Sequence, residues 1–362
     1  MTRITRQLSQ SMQLSGLLAT VLVVMIHYRT VQPGQANLYT INYLIQEYLC
    51  NGVGRAAVPL FAWQSGLFFF MNFGGLADYP KKIRQRAVTL LVPYLLVSLF
   101  CLLFELTQTR YAGQSLPSYR YLAVSWLLHP RTTQLWYLRD LMVLVSLTPL
   151  IHGLLRYTRW VAVIAVGSCW LFEQQFFPEV ADWYLINVET LFFFVLGGAM
   201  ANRVADIDRW HRVDKVWLFA WLGLWLTLIG LRVYIDPTFD VWYVRHFSLA
   251  SLLLQKLSIL VGVVVILVVA ARLQAKILVT LSSFSFFVFL FHSYPLSRLV
   301  KWLSEQMVDP ERVFYPATAL SLLGSFGLAL VANRFFPKSY GWLTGGRSRE
   351  KIHDRQTRLP ES

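Results

Sequence analysis

The chain has 362 residues, of which 56% are hydrophobic, 15% aromatic and only 14% charged, with a mean hydropathy of +0.48. A soluble domain carries about 25% charged residues, so water is the wrong solvent and the chain reads as an integral membrane protein. Its net charge of +14 would suggest nucleic acid in a soluble protein. Here the basic residues fall between apolar runs, where the orientation rule for membrane proteins accounts for them, and no nucleic-acid partner is expected.

In chain order, apolar runs fall at 12–28, 55–73, 87–107, 135–151, 161–177, 186–201, 216–233, 247–271, 277–299 and 314–334. Each spanning helix needs about 20 mostly apolar residues, so an all-α membrane protein of about ten transmembrane helices is predicted. Pro59, Pro93, Pro149 and Pro295 interrupt some runs, which membrane helices tolerate when neighbours satisfy the freed carbonyl. The first run lacks a small-residue cleavage pattern and reads as a spanning helix. Cys50, Cys101 and Cys169 have neither paired nor metal-like spacing and read as packing residues.

Charge sets the orientation. Arg3 and Arg6, the KKIRQR run at 81–86, Arg156 and Arg159, Arg203 to Lys215, Arg272 and Lys276, and the tail from Arg334 put most of the 33 basic residues on one side. That side is predicted to be cytoplasmic, with both termini inside. Glu179 and Asp182, without a base beside them, fall on the other. The expected organisation is a membrane domain over 1–334 and a basic cytoplasmic tail over 335–362. The longest polar stretch, Arg334–Ser362, is too short for a soluble catalytic domain of 50 residues or more, so any chemistry belongs in the membrane or at its faces.

Counting depth at 1.5 Å per residue gathers a scattered set. His27, Arg55, Glu105, Trp136, Arg139, Asp140, Glu173, Glu189, Arg232, Lys256 and His292 all fall in the outer half, with His292 at about the depth of His27. By the same count the inner half of every helix holds no charge. Intramembrane ionisable groups are costly and usually face a cavity or one another, so a polar vestibule open to the outside is predicted. Ion pairing between helices, or snorkelling to the headgroups, would account for any one of them alone. Histidine is the side chain suited to moving protons near neutral pH. No zinc-like spacing, phosphate loop with lysine, or nucleophile elbow occurs, and no metal is expected.

Six segments are similar, in order, to those of the acyltransferase 3 family of integral membrane acyltransferases: VLVVMIHY, RAAVPLFAWQSGLFFF, YPKKIRQRAVTLLVPYLL, LWYLRDLMVLVSLTPLI, FFFVLGGAMA and SSFSFFVFLFHSYPL. Family members usually carry Asp-x-x-Arg in the first helix, the arginine 11 residues before the histidine; here those positions are Gln13 and Gly16. The resemblance implies acyl transfer, most often of acetyl from cytosolic acetyl-CoA (or another acyl-CoA), to a hydroxyl of an exported glycan or its lipid-linked precursor. A bacterial inner membrane is the implied location. His27 is then the general base or a transient acyl carrier, with Asp140 orienting or charging the centre. Arg139 and Arg55 would bind acceptor or carbonyl groups, Trp136 would stack on a sugar, and His292 would lie close behind. Lys82, Arg84 and Arg86 would meet the CoA phosphates. The rival classes are a proton-coupled exporter or flippase and an inactive glycan-assembly scaffold.

Overall fold

The computed structural model describes residues 4–31, 40–71, 73–173, 186–209, 213–241, 247–273 and 275–346. It is 82% helix, with no strand among the described residues. Arg3, Glu179, Asp182, Arg212 and the tail from 347 onwards lie outside them.

The helices are α1 (Arg6–His27), α2 (Ile41–Gln46), α3 (Ala57–Phe70), α4 (Tyr79–Arg86), α5 (Val92–Tyr111), α6 (Tyr119–Leu127), α7 (Trp136–Ser146), α8 (Thr148–Leu171) and α9 (Val188–Met200). They continue as α10 (Val204–Asp208), α11 (Lys215–Ile235), α12 (Leu249–Ala270), α13 (Lys276–Ser282), α14 (Ser285–Phe291), α15 (Leu296–Glu305), α16 (Phe314–Phe335) and α17 (Pro337–Leu343). Short polar side chains start several of them by accepting an otherwise unpaired backbone N–H. Thr5 does so for α1, Asn187 for α9, Asp214 for α11 and Ser248 for α12.

Among the described residues, six helical runs are long and apolar enough to cross a bilayer: Arg6–His27, Leu76–Tyr111, Val188–Asp208, Lys215–Ile235, Leu249–Ala270 and Phe314–Phe335. A seventh arises if α7 and α8, bent by 64° across a short break, count as one span. The apolar runs alone predict about ten. The difference lies in three places. The run at 55–73 is only 14 residues of regular α-helix, entered through a π-turn at Glu47–Gly52 and a 3-10 turn at Val53–Ala56. The run at 277–299 breaks at Ser283–Phe284 and again before Leu296 into α13, α14 and α15. The loop drawn between the fourth and fifth runs is helix instead: α8 carries Arg156 and Arg159 within it and deviates from helical geometry only at Thr158.

The outward faces of α5, α11 and α16 expose Phe100, Leu103, Trp217, Phe219, Leu323 and Leu328, the pattern of helices solvated by lipid. The core lies between α1, α3, α9 and α12. Where α3 crosses α9 the backbones touch. A Cβ on Gly66 would stand 2.0 Å from the Phe194 carbonyl oxygen, and one on Gly197 would stand 2.1 Å from that of Trp63. Close approach through small residues is how membrane helices gain packing energy. α17 is held against the bundle by Tyr340, whose ring lies 5.3 Å from Phe287 and 6.3 Å from Phe284.

Candidate active site

Two histidines predicted from opposite ends of the sequence meet. His27 ends α1 and His292 follows α14; their ring centroids are 4.8 Å apart at an interplanar angle of 75°. The reason is local. His27 Nδ1 faces the Val23 carbonyl oxygen, four residues back, at 2.8 Å. His292 Nδ1 lies 3.0 Å from the carbonyl oxygens of both Val288 and Phe289. A carbonyl only accepts, so each Nδ1 carries the proton, and in the neutral ring Nε2 keeps its lone pair. His292 is fully buried and its Nε2 has no hydrogen-bond partner among the described residues. Its backbone carbonyl is fixed by the Tyr28 hydroxyl at 2.7 Å and the Ser321 hydroxyl at 3.0 Å.

Beyond His27, at the same end of the bundle, lies a charge cluster. Arg29 donates to Glu47 Oε2 at 2.5 Å and to Asp240 Oδ2 at 3.1 Å, and Arg55 donates to Asp240 Oδ1 at 2.8 Å. Arg232 pairs with Glu47 Oε1, which also accepts from Asn51 at 2.6 Å. Arg55 Nε in turn donates to Asn51 Oδ1 at 2.8 Å. Glu47, Asp240 and Arg232 are completely buried. Both acids are engaged, yet among the described residues three guanidiniums face two carboxylates, and Arg232 Nε and Nη2 and Arg29 Nε have no acceptor there. Beside this cluster, burial and then the charge of Glu47 push the Tyr43 phenol up to about 12, so it remains a donor to the Pro237 carbonyl at 2.8 Å.

Asp140 is also completely buried. Its Oδ2 accepts the Asn187 N–H at 3.0 Å and its Oδ1 lies 3.5 Å from Arg139, whose Nη1 donates to the Leu128 carbonyl at 2.9 Å. It thus ties α7 to the start of α9, while the orientation of the His27 ring comes from α1 itself. Trp136 sits in the first turn of α7 with its ring 6.1 Å from that of Tyr137. Gln134, just ahead, donates to the Leu290 carbonyl at 3.0 Å, binding the start of α7 to the helix that carries His292.

Toward the N-terminal end of α1 lies a cavity of about 300 Å³, lined by Gln13, Gly16, Ser65, Arg86, Tyr137 and Ser285 among aromatic and aliphatic side chains. Of the three predicted phosphate-binding bases, only Arg86 reaches it. Lys82 and Arg86 lie 5.7 and 5.9 Å from the Phe69 ring, and Arg84 is exposed on the far side of α4. Arg86 belongs to the long helical run Leu76–Tyr111, and it corrects the expectation that this half of the helices holds no charge. Phe61, Tyr137 and Phe289 close the cavity toward the histidines, their rings 6.0 to 6.2 Å apart. Phe289 in turn lies 6.3 Å from His292.

Glu47, Asn51, Asp240 and Ser321 are partners of these groups that sequence reasoning missed. Glu47, a lone acid ahead of an apolar run, carried a signal. Asp240, in a connecting segment, carried none.

With the geometry in view, comparison with known families gives a match over residues 17–333, nearly the whole chain, to the acyltransferase domain model of acyltransferase 3. The chain belongs to the acyltransferase 3 family. No curated protein and no solved structure matches it. As a member of this family it is a membrane acyltransferase with several apolar helices. The matched stretch contains His27, Arg55, Lys82, Arg84, Arg86, Trp136, Arg139, Asp140 and His292, and begins immediately after Gly16.

Proposed function

We propose that this acyltransferase transfers an acyl group, acetyl in the simplest case, from acyl-CoA to a hydroxyl of an exported glycan or its lipid-linked precursor, with His27 as general base. The observation that carries the reading is the histidine pair, with each Nδ1–H held by a backbone carbonyl and each Nε2 facing away from it. In the reaction His27 Nε2 takes the proton of the acceptor hydroxyl as its oxygen attacks the thioester carbonyl. The acyl C–O bond forms, the C–S bond breaks, and the proton passes to the departing thiolate, so atoms and charge balance. General-base help of this kind contributes about 10²–10⁴-fold.

His292 supports the adjacent ring. Asp140 and Arg139 act by fixing α7 against α9. Arg55 and Trp136 face the acceptor at the end where His27 lies, with both termini on the cytoplasmic side. The donor enters from the opposite end, where Arg86, with Lys82 and Arg84, meets its phosphates. The cavity beside α1 lies between that end and His27, with the rings of Phe61, Tyr137 and Phe289 separating it from the histidine pair.

The test uses purified protein in detergent, acetyl-CoA labelled in the acetyl group and an extract of surface glycans. Label entering an alkali-labile glycan ester, and lost in a folded His27→Ala protein, is expected. Full activity in that variant would remove His27 as the base. No labelling from acetyl- or succinyl-CoA by intact protein would favour an exporter or an inactive scaffold.

A further inference from the structure

α5 and the segment around His292 meet along a seam whose chemistry changes with depth. Phe100, Phe104 and Gln108 stand four residues apart on α5, and residues so spaced line up on one face of a helix. Each meets a residue that flanks His292 in the chain. The ring of Phe100 lies 6.3 Å from that of Phe291, the ring of Phe104 lies 5.7 Å from that of Tyr294, and Gln108 accepts from Arg298. Over about 12 Å of helix rise the seam passes from Phe100 and Leu103, exposed on the outward face of α5, to a polar mouth. That mouth lies at the end of the bundle that holds the histidine pair, with Tyr294 two residues past His292.

The mouth carries more positive than negative charge. Arg131 pairs with Glu105 and donates to the Tyr121 hydroxyl, while Arg298 donates to the neutral Gln108 and lies 5.2 Å from the Tyr294 ring. Two guanidiniums thus share one carboxylate among the described residues, and Glu105, Arg131 and Arg298 all act electrostatically on Tyr294. The Tyr294 hydroxyl is buried without a hydrogen-bond partner among the described residues. Snorkelling alone would account for Arg298, but not for a shielded phenol beside it with nothing to accept its hydrogen. Guanidiniums bind phosphate oxygens through charge-assisted, often bidentate hydrogen bonds, and the phenol supplies one more. The neighbouring surface says what carries such a phosphate. On α15, Leu299 and Trp302 are more than half exposed, the pattern of an amphipathic helix lying at a membrane surface. An apolar path that opens to lipid and ends at two arginines fits an amphiphile with a long tail and a phosphate head. With the head held two residues from His292, whatever the phosphate carries is presented to the histidines.

We propose that the seam between α5 and α15 binds a lipid-linked acceptor by its phosphate: Arg298, Arg131 and Tyr294 hold the phosphate, the long tail leaves past Phe100 and Leu103 into the bilayer, and the sugar faces the histidine pair. The inference rests on the acyl-transfer reading and deepens it by choosing the lipid-linked acceptor over the free glycan and naming its anchor.

The experiment measures binding of a polyprenyl monophosphate to the full chain in detergent, against polyprenol without the phosphate and against phosphatidylglycerol. The parent should bind the monophosphate about tenfold more tightly than either. Arg298→Gln and Arg131→Gln should each weaken that binding about tenfold, the loss of one hydrogen bond to a charged group. Lys301→Ala, which removes an exposed cation elsewhere on α15, should match the parent. The bound monophosphate should also raise the apparent acceptor KM for labelled acetyl transfer to the surface-glycan extract, with the donor KM unchanged. Equal binding of polyprenol or phosphatidylglycerol would overturn the proposal while leaving acyl transfer intact. So would unchanged binding in folded Arg298→Gln, an equal loss in Lys301→Ala, or transfer unaffected by the bound lipid. If Arg131→Gln, which gives up the Glu105 pair, does not fold, Arg298→Gln decides alone. A parent that transfers no acyl group removes the acyl-transfer reading and the acceptor role of the seam together, whatever the seam binds.

Discussion

Two sets of polar side chains lie among these helices, and they are filled differently. In the charge cluster both carboxylates are fully engaged: Glu47 takes Arg29, Arg232 and Asn51, and Asp240 takes Arg29 and Arg55. Around the histidine pair and the cavity, His292 Nε2 and Ser285 Oγ have no partner among the described residues, and Arg86 has an aromatic ring there instead of an acid. A buried donor or acceptor left unmade costs about 1–3 kcal/mol. In the first region that cost falls on spare N–H groups of Arg29 and Arg232 whose charges are still met by carboxylates, whereas in the second Arg86 has no carboxylate within salt-bridge range among the described residues. The carboxylates of the first hold helices together; the second keeps its bonding capacity open for what binds there.

The sharpest way to break this contrast is at Glu47. Removing it strands Arg232 as an uncompensated buried charge, which costs about 3–5 kcal/mol. Glu47→Ala should therefore lower the melting temperature in detergent sharply, or prevent recovery of folded protein, whereas His27→Ala should melt like the parent. Equal stability of Glu47→Ala and the parent would mean that the cluster does not hold the fold.

Asp140→Asn comes next. The substitution keeps the shape but removes the charge that meets Arg139 and the α9 N-terminus, a loss of about 1–3 kcal/mol for a charge-assisted bond. A lowered melting temperature with an unchanged donor KM is expected. A change confined to turnover would instead move Asp140 into the open region, beside the histidines. The smallest effect is set for Arg86→Ala, which should raise the donor KM about tenfold, or about 1.4 kcal/mol, without lowering stability. A stability loss with unchanged kinetics would make Arg86 a structural cation.

The same contrast explains what the sequence disclosed. Unbroken apolar runs made α11, α12 and α16 readable almost to their ends, whereas α1 begins at Arg6, six residues before its apolar run. Depth counting alone brings His27 and His292 to one level, because both sit a countable number of residues from polar loops. The charge cluster was not readable as a cluster, since Arg55 and Asp240 are 185 residues apart and Arg29 and Asp240 are 211. Nothing local announces such a pairing. Hydropathy also could not show that the run at 277–299 is three short helices or that Arg156 and Arg159 sit inside α8, because a bent or broken helix has the same composition as a straight one. The cavity was invisible for a different reason. It is lined from α1, α3, α4, α7, α13 and α14 together, and its arginine belongs to a run that reads as ordinary positive-inside charge.

The crossing of α3 and α9 has a mechanical consequence. With Gly66 against Phe194 and Gly197 against Trp63 at backbone contact, those two helices form a fixed jaw, and Phe61, Ser65 and Phe68 on α3 are its teeth. Neither helix can slide or tilt toward its neighbour without overlapping main-chain atoms. The opposite side of the cavity is α13 and α14, two seven-residue helices meeting at a break, and that side has the shorter levers and the joint. Any widening that lets a bulky chain through must be taken up there, next to the short segment that ends in His292.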